Sequence, residues 1–264
     1  MFKGPVVATG LTEASQAAAA ASAAGRRAGS SLRLYLAPSC LEYQWKRMAI
    51  IANLAQIPLE TFKVTEEELS TLVAHARGCV LQTKEGYLTQ TKAIARYLAG
   101  LRPDLGLAGA SEADEPFVDQ WMEFCWYELE VLLGALLLPS TAEFDPKAVA
   151  QAVSTDIIKA LQVLDAHLAD KTFVAGSRLS IADVHLAVVT SELLGRVVKE
   201  EELLALPHLA RWFLTCANHP IFKAVLGSVS LKSAPGPKKA ATAPPTKAAA
   251  GGAAAGGAAA GGAA

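Results

Sequence analysis

Pro103 separates two stretches of this chain with different hydrophobic periods. Ahead of it, apolar residues alternate over short runs that are broken by turn residues. Behind it, they recur at three and four positions. A chain that changes period once in this way must build two kinds of layer around its core. Leu32, Leu34 and Leu36 alternate with Arg33 and Tyr35, which reads as a strand over 31–37, broken at Pro38-Ser39. The segment from Glu42 to Gln56 reads as a helix with Trp45, Met48, Ala49 and Ala52 on one side. Leu59 to Val64 reads as a second strand and Glu66 to His75 as a short helix. Cys79 to Gln82 and Tyr87-Leu88, joined by Lys84-Glu85-Gly86, read as a hairpin, and Thr91 to Leu101 as a closing helix.

The order β-α-β-α-β-β-α in so short a block implies an α/β lobe of thioredoxin type over 31–102. The remainder, 103–231, reads as an all-helical lobe. Val118, Trp121 or Met122, Cys125, Leu129, Leu132 and Leu136 form one stripe; Val149, Val153, Ile157, Leu161, Leu164 and Leu168 form another. Ser180-Ile-Ala-Asp183 has the form of a capping box, with a hydroxyl at the N-cap and an acid three residues on. Trp212 and Phe213 belong to a further helix.

The ends differ in composition. Residues 1–30 are rich in Ala, Ser and Gly. Arg26, Arg27 and a single acid, Glu13, would suit a transit peptide, but no amphipathic Arg pattern is present, so a disordered leader is expected. Residues 232–264 are Ala, Gly, Pro and Lys almost throughout and read as a linker or tail. The net charge of −1 excludes binding to nucleic acid through overall charge. No acid follows Glu202, whereas Arg211, Lys223, Lys232, Lys238, Lys239 and Lys247 do, so the C-terminal end is locally basic. No apolar run is long enough to span a bilayer, and a cytoplasmic protein is expected. Cys40, Cys79, Cys125 and Cys216 show no CxxC spacing and read as reduced thiols. His75, His167, His185, His208 and His219 show no metal-ligand spacing, so no metal site is expected, and His185 reads as a core or interface residue. No Gly-rich phosphate loop or nucleophile elbow is present.

Three motifs carry a family resemblance. The string from Lys84 to Leu98 resembles the hairpin and third helix of glutathione-transferase folds, and Phe173 to Asp183 resembles their folding box. Arg211 to Val229, with Phe117 to Phe124, is similar to the transferase-like domain of the gamma subunit of eukaryotic translation elongation factor 1. The same strings resemble the N-terminal appended domain of valyl-tRNA synthetase. The resemblance covers roughly 31–231. It implies a glutathione-transferase-like fold and a non-catalytic docking module in translation elongation. Its partners would be the guanine-exchange subunits of elongation factor 1 and aminoacyl-tRNA synthetases, with a homodimer as a further expectation. It implies no sequence-specific nucleic-acid binding and no membrane contact. In the gamma subunit a further domain follows the linker; here it would lie beyond residue 264.

The resemblance also locates the positions where a working transferase would hold glutathione. Ser39 and Cys40 stand where the family places its activating hydroxyl or thiol, and Gln90 and Thr91 match its third-helix pair. The family's cis-proline has no counterpart, since no proline lies between Pro58 and Pro103 and Arg77-Gly78-Cys79-Val80-Leu81 occupies the site where one is expected. A non-proline cis bond would cost about 3 kcal/mol or more, so the glutathione mould is expected to be missing. Ser39 is then expected to cap the first helix, Cys40 to pack, and Gln90 and Thr91 to cap the third helix. The alternatives are an appended synthetase domain and a glutathione S-transferase with glutathione as its cofactor.

Overall fold

A computed structural model describes residues 32–137 and 146–229. The leader over 1–30 and the tail over 232–264 lie outside the described residues. The first lobe runs β1 (Leu32–Leu36), α1 (Glu42–Leu54), β2 (Leu59–Lys63), α2 (Glu66–Leu72), β3 (Cys79–Gln82), β4 (Tyr87–Thr89) and α3 (Thr91–Gly100). This is the order read from the sequence.

The sheet order is β2-β1-β3-β4, with β1 parallel to β2 and the other pairs antiparallel. Both faces of the sheet are covered. Leu34 and Leu81 pack with Ile50, Ile51, Ile94 and Leu98 from α1 and α3. Tyr35 and Val80 turn the other way and pack on Leu69 of α2. This explains why the period-two pattern in β1 carries an aromatic ring at an apparently outward position: Tyr35 is buried, and its hydroxyl donates to Gln82 Oε1 at 2.9 Å. α2 starts on Thr65, whose Oγ1 accepts from the Glu68 N–H at 3.1 Å while Glu68 accepts from the Thr65 N–H at 2.8 Å. It stops at Leu72, short of the expected His75.

The second lobe is helical, as its period requires. A 3₁₀ turn at Pro103–Leu105 leads to α4 (Glu115–Phe124), a π-helical turn at Cys125–Glu130, α5 (Val131–Leu137), α6 (Pro146–His167), α7 (Ile181–Leu193), α8 (Glu200–Leu204), α9 (Pro207–Ala217) and α10 (Pro220–Leu226). α7 is buried at every position from Ile181 to Thr190. A helix apolar around its whole circumference belongs at the centre of a core. It lies beside α1, and residues of both lobes form one continuous core.

The stripe expected through Leu129, Leu132 and Leu136 packs on the core, but with uneven burial. Leu129 and Leu133 are fully buried, whereas Leu132 and Leu136 are only partly so. The π turn adds a residue to one helical turn and advances the buried face by one position. A period of 3.6 carried through that turn misses the shift. On α6, Val153, Ile157, Leu161 and Leu164 are buried as read, with Leu168 just past its end.

Candidate functional site

The residues matched to a glutathione site gather at one end of the sheet. Leu36 pairs with Cys79 and Val80 with Thr89, so the end of β1, the start of β3 and the end of β4 lie together. Ser39 and Cys40 follow β1, and Gln90 and Thr91 follow β4.

Ser39 does not cap α1. The N-cap is Leu41, whose backbone N–H donates to Gln44 Oε1 at 3.1 Å. Ser39 instead ties two loops together. Its Oγ accepts from the Gly78 N–H at 2.8 Å, and its own N–H donates to Glu66 Oε1 at 2.7 Å. A proline at 78 could not make that bond, because it has no N–H. Gly78 has φ +79°, and a Cβ on it would sit 3.4 Å from Gln44 Oε1 and 3.7 Å from Cys40 Cα. These are ordinary contact distances, so it is the positive φ that calls for glycine here. Where the family's mould would offer backbone to a peptide, this chain bonds the Gly78 N–H internally.

Cys40 is half-buried. A hydrogen bond with the Cys79 thiol, and then burial, push its thiol well above the ordinary range. It holds its proton at neutral pH, which is the reverse of an activated nucleophile. Gln90 occupies the N-cap of α3 but makes no side-chain cap bond, so the expected capping role is corrected. It is exposed and held at φ +70°, a strained conformation for a side-chain-bearing residue. Thr91 is the first residue of α3.

The capping box is present and buried. Asp183 accepts from the Ser180 N–H at 2.9 Å and the Ser180 hydroxyl at 2.8 Å. It also accepts from the Val174 N–H and from Trp212 Nε1, both at 2.9 Å. Burial pushes its carboxyl up from the ordinary value, against the pull of these donors. The box therefore pins α7 to the preceding loop and to α9. His185 is fully buried one turn on, with Nδ1 2.9 Å from the Ile181 carbonyl, in agreement with a core reading.

One buried cluster was missed from sequence. Arg47 of α1 and Glu130 at the end of the π turn form two hydrogen bonds, of 2.7 and 2.6 Å. Their side chains are 0% and 2% exposed. The Tyr43 ring lies 4.9 Å from the guanidinium, and Cys125 Sγ donates to Glu130 at 3.6 Å. Burial works against the charge on Arg47, and Glu130 outweighs it, leaving the guanidinium firmly charged. The signal in the sequence was a charge inside each of two apolar runs. The pair joins the two lobes and lies away from solvent, so it reads as structural. Among the described residues, no three His, Cys, Asp or Glu side chains gather in a way that could hold a metal ion, and no helix is long and apolar enough to cross a membrane.

Comparison with known proteins places this geometry. Residues 124–220 match the family described as glutathione S-transferase, C-terminal domain. The chain is 31% identical to elongation factor 1-gamma 3 of Oryza sativa subsp. japonica over 173 residues, covering 65% of this chain and 41% of that relative. It is 31% identical to elongation factor 1-gamma of Carassius auratus over 204 residues, covering 75% of this chain and 44% of that relative. The chain thus spans less than half the length of these relatives. Among solved structures, poplar glutathione transferase F1 superposes with a TM-score of 0.65 at 18% identity, over 75% of this chain and 97% of that one. A glutathione S-transferase from Xylella fastidiosa gives 0.64 at 20% identity, over 75% of this chain and 100% of that one. The chain therefore carries a glutathione-transferase-like domain, similar in sequence to that of elongation factor 1-gamma.

Proposed function

We propose that this chain serves translation elongation as a docking module rather than as a transferase. Its partners on this reading are the guanine-exchange subunits of elongation factor 1, with aminoacyl-tRNA synthetases as further associates. The observation that carries the proposal is the sequence likeness to elongation factor 1-gamma across 204 residues, 75% of this chain. The site's geometry supports it. Gly78 bonds Ser39 internally, and the Cys40 thiol keeps its proton. The helical lobe leaves Phe117, Tyr127, Val131 and Val163 exposed, which supplies apolar surface for a partner.

A second reading, glutathione transfer, is favoured by one observation: Ser39, Cys40, Gln90 and Thr91 do gather at one sheet end. Conjugation of glutathione to a chlorodinitrobenzene acceptor, run beside glutathione-affinity capture, separates the two. The docking reading expects neither turnover nor retention. Turnover that disappears in Ser39→Ala or Cys40→Ala would overturn it.

A further inference from the structure

Cys40 and Cys79 lie far apart in the chain, and the sheet brings them together. Leu36 and Cys79 are register partners across β1 and β3. Beyond β1 the chain turns at Ala37, whose N–H donates to the Gly78 carbonyl at 2.9 Å. Cys40 then folds back, with its N–H on the Ala37 carbonyl at 2.9 Å. Ser39 Oγ closes the arrangement on the Gly78 N–H at 2.8 Å. These bonds hold 37–40 against 78–79. A Cβ on Gly78 would lie 3.7 Å from Cys40 Cα and 3.9 Å from Cys40 Cβ. Both cysteines carry free thiols. Cys79 directly follows Gly78, so the fold sets Cys40 beside the segment that carries the second thiol.

We propose that Cys40 and Cys79 are a reversible dithiol–disulfide pair, oxidised by a low-molecular-weight disulfide. The route follows from burial. Cys79 is 2% exposed and Cys40 is half-buried, so the oxidant meets Cys40 first. Cys40 loses its proton to solvent, and its sulfur attacks one sulfur of the disulfide. A mixed disulfide forms, the small molecule's S–S bond breaks, and one thiolate leaves to take up a proton. Cys79, deprotonated, then attacks Cys40 Sγ. The intramolecular bond forms, and the second small thiolate leaves and is protonated. Two protein thiols lose two electrons and two protons, and one small disulfide gains them as two thiols.

The surroundings favour the second step over the first. Cys40 holds its proton tightly, which slows the opening attack. The hydrogen bond from Cys40 lowers the Cys79 thiol below its ordinary range against the effect of burial, and the charge on Arg47 acts in the same direction. Once Cys40 is in the mixed disulfide, the charge on Arg47 still favours the Cys79 thiolate. Cys125 and Cys216 are buried elsewhere in the core and serve as internal references. The pair stands independently of the docking reading.

The test treats the purified full chain with oxidised glutathione, quenches with acid, and labels free thiols with iodoacetamide in denaturant at mildly alkaline pH before peptide mass analysis. Cys40 and Cys79 should lose label together, by about tenfold relative to their reduced state. A Cys40–Cys79 linked peptide, lighter by two hydrogens, should appear and be reversed by dithiothreitol. Cys79→Ser should stop at a glutathione adduct on Cys40, and Cys40→Ser should leave Cys79 reduced. Low labelling of Cys125 and Cys216 under native conditions verifies that each variant is folded. The proposal is overturned if the unaltered chain accumulates the Cys40 adduct, if Cys79 oxidises in Cys40→Ser, or if both thiols stay reduced at every oxidant ratio.

Discussion

At Arg47 and Glu130 a bidentate ion pair sits where water does not reach. Such a pair is costly to break and far less costly to replace. Glu130→Ala strands a buried guanidinium and should cost about 3–5 kcal/mol, read from urea denaturation. Replacing both partners, as Arg47→Met with Glu130→Leu, should recover most of that loss. Equal losses in the single and double variants would contradict this account of the pair. His185 gives a pH signature. Burial, then the nearby Arg47 charge, hold its pKa well below the ordinary value. Unfolded, it takes a proton near pH 6.5; folded, it does not. Its contribution is therefore complete above about pH 6.5 and is lost as pH falls below that value, at up to about 1.4 kcal/mol per pH unit. His185→Leu should flatten the stability curve between about pH 6.5 and 5.

Individual elements show what was legible in the sequence and what was not. The Ser180–Asp183 box could be read directly, because a cap depends on residues three apart. Its further bonds to Val174 and Trp212 could not, because those come from tertiary packing. Asp183→Ala leaves these buried donors without an acceptor and should cost about 3 kcal/mol or more in denaturant unfolding. The π turn was illegible because a hydrophobic stripe does not record one added residue. Ser39 looked like a cap from its place before α1, yet its partner is Gly78, across the sheet end. Gly78→Ala meets a positive φ and should lower stability by about 1–2 kcal/mol.

For the whole molecule, the change of period at Pro103 was enough to anticipate a sheet lobe followed by a helical lobe. It did not show that the lobes share one core, with α7 beside α1. The gathering of Ser39, Cys40, Gln90 and Thr91 at one sheet end came from family resemblance, whereas the nearness of Cys79 to Cys40 had no sequence signal. On the docking reading, partner affinity resides on the surface of the helical lobe and is independent of the sheet-end site. Charge placed on the exposed apolar residues, as Phe117→Asp with Tyr127→Asp, should weaken binding by about tenfold or more while leaving the fold intact. The most direct measurement is calorimetric titration of a guanine-exchange subunit of elongation factor 1 into this chain, with and without saturating glutathione. The account predicts a saturable complex whose affinity is unchanged by glutathione and by Ser39→Ala. Absence of binding under both conditions would contradict it.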